Sequence, residues 1–188
     1  MSDSGFWIEE NILSEHECDS LITALPLNQN PSRAGARHLM SIPAVRSLAN
    51  DPRLIRIARC ALQNAVPYRA TLFAKSNITN WLVVWHQDTT LPLHSRFESP
   101  EWGPWSTKAG VIYAHAPTWA LSRVIALRIH LDASTSDNGP LRVIPGSYRD
   151  GVLSDEEVFH LARTSKHVDC LVAKGGVLAM RPLLVHSS

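Results

Sequence analysis

From Tyr68 onward the chain is broken into short apolar runs rich in β-branched and aromatic residues, and no other feature constrains its fold as much. The runs YRATLFAK, WLVVWH, GVIYAH, SRVIALRIHLD, PLRVIPG, VDCLVA, GGVLAMR and LLVH have the length and composition of strands. Turn formers separate them, notably Ser76-Asn77, Asp137-Asn138-Gly139-Pro140, Pro145-Gly146 and Gly175-Gly176. About eight short strands without βα alternation predict a β-sandwich or barrel core, not a doubly wound sheet.

Helices are expected before that region. Ser14 and Glu17 form an S-x-x-E capping box, which predicts a helix from about Glu15 to Leu25, ended by Pro26. Asp51-Pro52 supplies an N-cap and an N1 proline, and Leu54, Ile55, Ala58 and Leu62 recur at helical spacing to about Asn64. Ser154 with Glu157 caps one short helix inside the β region. The expected class is α+β, mainly β, with a helical part over about 1–66 and a β part over about 67–188. A chain of 188 residues suits one domain with one core.

The stretch after Asp88, TTLPLHSRFESPEWGPWSTKA, reads as too long and irregular for an ordinary connection, and such loops are often lids. It carries His94, Trp102 and Trp105, which with Tyr113, His115 and Trp119 offer an aromatic pocket for a substrate. Packing is an equal use for tryptophans there.

Composition excludes several classes of partner. With 45% hydrophobic residues, 19% charged residues and a formal net charge of +1, no bulk charge invites nucleic acid or an anionic membrane. No uncharged apolar run approaches the ~20 residues of a membrane span, and the acidic start MSDSGFWIEENIL is unlike a signal peptide. Cys18, Cys60 and Cys170 are odd in number and contain no C-x-x-C pair, which fits a reducing, cytoplasmic setting. Oligomeric state is not legible in the sequence.

The chemistry gathers around histidines. Residues two apart in a strand share a face, so His86-Gln87-Asp88 presents an imidazole and a carboxylate in one direction. Two histidines and one carboxylate on one face of an octahedron leave positions open, which is the ligand set of non-heme iron(II) oxygenases. His186, ending LLVH, could supply the third ligand. The H-x-D pattern recurs at His130-Leu131-Asp132 and His167-Val168-Asp169. His167 has only His186 downstream of it, too near for more than one hairpin, while spacing leaves the first two pairs open as alternatives. A zinc hydrolase could use the same ligand types.

WHQD followed by IALRIHLDASTSDNGPLRVIPGSYRDG resembles the phytanoyl-CoA dioxygenase family of iron(II)- and 2-oxoglutarate-dependent oxygenases, from about Phe73 to Ser188. The most specific part is Asn138-Gly139-Pro140-Leu141-Arg142-Val143-Ile144-Pro145-Gly146-Ser147, which the family usually continues with His where Tyr148 stands here. The resemblance implies a double-stranded β-helix, or jelly-roll, with His86, Asp88 and His186 as ligands, and makes His130 and Asp132 positions of a core strand. It implies iron(II), 2-oxoglutarate and O2 as cofactors and hydroxylation of a small molecule. Asp88 retains the carboxylate that related halogenases replace.

2-Oxoglutarate places its far carboxylate deep in such a barrel, where a cation must meet it. The family's arginine for that task, on the strand after the distal histidine, has no counterpart among the 188 residues, so the last strand of the jelly-roll is expected to be lacking. Ser188 matches the family's hydroxyl two residues after the histidine. Arg128, on one face with Ala126 and His130, is the best substitute cation, with an ordinary ion pair as its other reading, and Thr71 is a weaker pocket candidate. The missing arginine also leaves open a jelly-roll binding module without turnover. Nothing resembles a coenzyme A phosphate site.

Overall fold

The computed structural model describes residues 4–25, 35–74 and 83–188. In chain order its elements are β1 (Phe6–Glu9), α1 (Glu15–Ala24), β2 (Gly35–Arg37), α2 (Pro43–Ala49), α3 (Pro52–Arg59), β3 (Thr71–Phe73), β4 (Thr90–Leu93) and β5 (Trp105–Lys108). There follow β6 (Val111–His115), α4 (Thr118–Leu121), β7 (Ala126–Ile129), β8 (Leu141–Val143), α5 (Asp155–Thr164), β9 (Val168–Cys170), β10 (Val177–Met180) and β11 (His186–Ser187).

Two antiparallel sheets form the centre. One has the order β1-β10-β7 and the other β11-β8-β9. The His86–His186 bridge and the Val83–Ser188 backbone pair extend the second sheet by the segment before Asp88. Leu178 and Met180 of the first sheet pack on Leu141, Val143 and Cys170 of the second and on Val172 and Leu184 beside it, so these residues are the sandwich interior. Each large apolar side chain buried there contributes ~1.5–3 kcal/mol.

Alternation along the strands sends the neighbours of these residues outward. Val177 and Ala179, with Leu127 and Ile129, pack on Leu54 and Ile57 of α3, while Ile144 and Val185 pack on Val158 of α5. Register then fixes the inward face of β7, because Ala126 lies opposite Met180 and Arg128 opposite Leu178. The ladder continues as His130 donates its N–H to Gly176 O at 3.0 Å. Ala126, Arg128 and His130 therefore face the interior.

The capping box at α1 is formed in both directions: Ser14 Oγ accepts from Glu17 N–H at 3.2 Å, and Ser14 N–H donates to Glu17 Oε2 at 2.8 Å. The N-caps expected at Asp51 and Ser154 are also made. Four elements depart from expectation. The helix expected to Asn64 stops at Arg59, where the ladder tightens into turns at Ala61 and Leu62. The part expected to be helical contains the strands β1 and β2 and a further helix, α2. FWIE pairs along the whole of β10, and its four residues are too few to show a period.

The stretch from Thr89 to Ala109 is not an irregular lid. Its two ends form β4 and β5, which flank β6 in a three-stranded antiparallel sheet. The partner on either side of GVIYAH, which no local pattern encodes, makes TLPL and WSTK strands. The expected stop at Pro26, the turn at Ser76-Asn77 and the first residues of WLVVWH lie outside the described residues. No described helix is long and apolar enough to cross a membrane.

Candidate metal centre

His86, Asp88 and His186 converge, with one ligand atom of each lying within 4.8 Å of the others. Two atoms each about 2.1 Å from one cation stand at most about 4.2 Å apart. His186 Nε2 and Asp88 Oδ2, at 3.9 Å, already meet that limit, and the widest spacing needs only a small side-chain rotation. The imidazole centroids are 4.2 Å apart.

The tautomers suit ligation. His86 Nδ1 lies 2.8 Å from Val84 O and His186 Nδ1 lies 2.8 Å from Leu184 O. A carbonyl only accepts, so each Nδ1 carries the hydrogen and each Nε2 keeps its lone pair for a metal. Burial holds the His186 pKa below the ordinary imidazole range, opposed by the Asp88 charge and assisted by His86. The His186 side chain is 8% exposed and that of Asp88 is 54% exposed, so the centre opens to solvent on the Asp88 side.

Gln87, unremarked in the sequence, fixes the strand that carries two of the ligands. It points away from them and is buried. Its Nε2 donates to Leu183 O at 2.7 Å and Gly151 O at 2.9 Å, while its Oε1 accepts from Leu153 N–H at 2.8 Å. Asp88 N–H donates to Pro182 O at 2.9 Å, which ties the H-x-D segment to the entry of the His186 strand. The NGPLRVIPGS segment serves the third ligand. Its Ser147 Oγ accepts from Val185 N–H at 2.9 Å, and Val143 lies opposite His186. Gly146 sits at φ 85°, a left-handed turn that favours glycine, and Tyr148 packs on Gly5 remote from the ligands.

The rival H-x-D pairs are elsewhere. His130 is buried, with a pKa pushed down to about 4 by desolvation and then by Arg128, while Asp132 is exposed. His167 stacks on Trp85 at 5.8 Å.

Of the residues singled out for a cosubstrate, Arg128 is inward-facing, and burial lowers its pKa. Among the described residues it makes no hydrogen bond or ion pair, only a cation–π contact with Phe73 at 5.9 Å. The ion pair weighed for it is therefore absent there. Its charge contributes to the lowered pKa of His186. Ser188, two residues beyond His186, pairs through its backbone with Val83. Thr71 lies two residues before Phe73 on β3, opposite Arg37.

The aromatic residues divide. Paired residues of an antiparallel sheet share a face, and Trp105 is opposite Ala114 whereas Tyr113 is opposite Ser106. Trp105 and Tyr113 thus face opposite sides. Trp102 and Trp105 both meet Phe97, and Trp102 also meets the half-exposed Trp119. On the other face Tyr113 is buried, with Lys108 Nζ 5.3 Å from its ring centre. His115, also on that face, meets Thr89 Oγ1 at 3.0 Å. Tyr68, absent from the sequence candidates, is half exposed, and desolvation raises its pKa, opposed by Arg69 and assisted by Asp88 and Tyr113. Its place at the start of a strand run carried no signal. His94 is exposed. A surface concavity follows α5, along Leu153, Phe159 and His160, and none of the triad lines it.

The sequence profile of the phytanoyl-CoA dioxygenase family, PhyH, matches residues 25–188. The chain belongs to that family, whose members are iron- and 2-oxoglutarate-dependent oxygenases, and iron(II), 2-oxoglutarate and O2 are the family's cofactors. Solved structures agree on the fold. EctD from S. alaskensis, solved with 2-oxoglutarate and 5-hydroxyectoine, superposes with a TM-score of 0.72 at 22% identity over 98% of this chain and 66% of its own. HygX from Streptomyces hygroscopicus, solved with nickel, 2-oxoglutarate and hygromycin B, gives 0.62 at 17% identity over 98% of this chain and 76% of its own. SnoK, a non-heme alpha-ketoglutarate-dependent carbocyclase from nogalamycin biosynthesis, gives 0.70 at 16%, over 98% and 73%. This chain spans 66% of the length of that EctD. No curated protein matches it in sequence.

Proposed function

We propose that the chain is a dioxygenase that hydroxylates an unactivated C–H bond of a small organic substrate, on a double-stranded β-helix with His86, Asp88 and His186 as its iron(II) ligands. The convergence of these three residues, both imidazoles presenting Nε2, is the observation that carries the reading. These residues would hold iron(II), which when bound would supply oxidation of the substrate by O2 coupled to conversion of 2-oxoglutarate to succinate and carbon dioxide.

The surrounding residues have distinct tasks. Arg128 offers the deep cation for the far carboxylate of 2-oxoglutarate, and a guanidinium does so with two parallel donors. Ser188, on the His186 face, and Thr71, beside Phe73, border the same cosubstrate site. Tyr113 and Tyr68 face the substrate at the open side by Asp88. Trp102 and Trp105 back that wall from the far face of the β4-β6-β5 sheet and shape it through packing. EctD and HygX, solved with 5-hydroxyectoine and hygromycin B, are consistent with a small polar substrate here.

The test is succinate formation from labelled 2-oxoglutarate by protein reconstituted anaerobically with iron(II) and then exposed to O2. Formation that requires both iron(II) and O2 and disappears in H186A supports the proposal. A hydrolytic activity sustained by zinc without 2-oxoglutarate would overturn it, and iron with 2-oxoglutarate bound but never consumed would identify a binding module.

A further inference from the structure

Two polar side chains on the inward face do not hold the metal, the half-buried Arg128 and the buried His130, and among the described residues neither has a hydrogen-bond or ion-pair partner. Arg128 and His130 share the inward face of β7 and its extension, opposite Leu178 and Gly176. The Arg128 guanidinium makes no ion pair among the described residues. His130 is 8% exposed, and its Nε2 is buried without a hydrogen-bond partner. Native interiors rarely leave such atoms unsatisfied, so each unpaired group calls for a ligand. Across the sandwich the facing group is the Cys170 thiol, pushed up to about 11 by burial and hence uncharged at neutral pH. It cannot balance the guanidinium.

The two groups are also neighbours. His130 lies two residues beyond Arg128 on the same face of the strand, ~7 Å away, and the Arg128 charge contributes to the downward shifts of both His130 and His186. We infer that Arg128 and His130 together form a two-donor floor in which His130 recognises the distal carboxylate of the cosubstrate and restricts the site to 2-oxo diacids. A neutral imidazole contributes one N–H and no second charge, which complements a carboxylate already neutralised by the guanidinium. His130 thereby acquires a partner for its buried nitrogen. This inference rests on the proposed 2-oxoglutarate site and adds to it a residue that determines which 2-oxo acids bind.

The test is calorimetric titration of the Mn(II)-loaded protein under argon with 2-oxoglutarate and with 2-oxobutanoate, which has the same chelating end and no distal carboxylate. His130→Phe should weaken 2-oxoglutarate about tenfold or more and leave 2-oxobutanoate unchanged, while His130→Asn, which keeps an N–H donor, should recover most of the loss. If the Phe variant does not fold, His130→Ala is titrated with the same pair. Unchanged 2-oxoglutarate binding, or equal loss of both acids, would show a packing residue and overturn the inference. If wild-type protein binds neither acid, the cosubstrate reading fails first and the inference with it. If wild-type binds both while the variants discriminate no differently, only the inference fails.

Discussion

Replacing Arg128 by Met should make the protein without cosubstrate more stable and at the same time unable to respond to 2-oxoglutarate. The guanidinium is inward-facing, burial disfavours its charge, and no carboxylate contributes to its electrostatics. Its cation–π contact with the Phe73 ring at 5.9 Å offsets about 0.5–1 kcal/mol. Arg128 is half-buried, so its charge without a carboxylate partner costs on the order of a few kcal/mol, and methionine of similar length fills the space without that cost. A net gain on the order of 1–3 kcal/mol follows, equivalent to roughly 2–10 °C in Tm for a domain of this size. Cosubstrate acts in the opposite sense, because at a hundred times its Kd it stabilises wild type by about 2.7 kcal/mol and the variant by almost nothing. Thermal unfolding of Zn(II)- or Mn(II)-loaded protein with and without 2-oxoglutarate measures both effects. A variant that is less stable without cosubstrate, yet keeps the full ligand-induced shift, would refute the reasoning.

Three further outcomes are expected. His86→Ala and Asp88→Ala should abolish iron(II) binding while His130→Ala leaves it measurable, as read by metal content after desalting; retention in the His86 variant would remove His86 from the ligand set. Gln87→Leu touches no ligand but loses three buried hydrogen bonds, so metal affinity in calorimetry should fall roughly 10–100-fold. The third outcome concerns pH. Burial and Arg128 push His130 down to about 4 from an ordinary value of 6.5, so the folded state keeps the neutral ring where the unfolded chain takes up a proton. Stability is then complete above pH 6.5 and declines as pH falls toward about 4, by on the order of 2–3 kcal/mol. Urea midpoints at pH 7 and pH 4.5 should differ less in His130→Phe than in wild type, and an equal difference would assign the acid sensitivity to other groups.

What the sequence disclosed depended on whether the cause was local. The caps at Ser14, Asp51 and Ser154 satisfy N–H groups within three residues, so their helices could be placed from a few letters. The strands β7, β8 and β10 announce themselves because both of their faces are buried and their runs are almost wholly apolar. β1, β4 and β5 did not, for they become strands through partners that are distant in sequence: Phe6 lies opposite Met180, and Trp105 opposite Ala114. The same distinction explains the aromatic pocket. Trp105 and Tyr113 are close in sequence, and only the register of β5 against β6 shows that they face opposite ways.

The metal centre is a different case, since three H-x-D copies are equal as local patterns. The distinction arises because the Val83–Asp88 segment pairs with the strand carrying His186, through the His86–His186 bridge and the Asp88–Pro182 hydrogen bond. His130 belongs instead to the opposing sheet, paired with Gly176, and is not part of the convergent triad. The R-I-H strand thus places Arg128 and His130 on the inward face of one sheet, while the H-Q-D segment pairs with the other and carries His86, Asp88 and the Gln87 amide that anchors it. Ligand and floor are separated by which sheet each pattern joins, so exchanging the two H-x-D segments would bring imidazoles to both levels and rebuild neither.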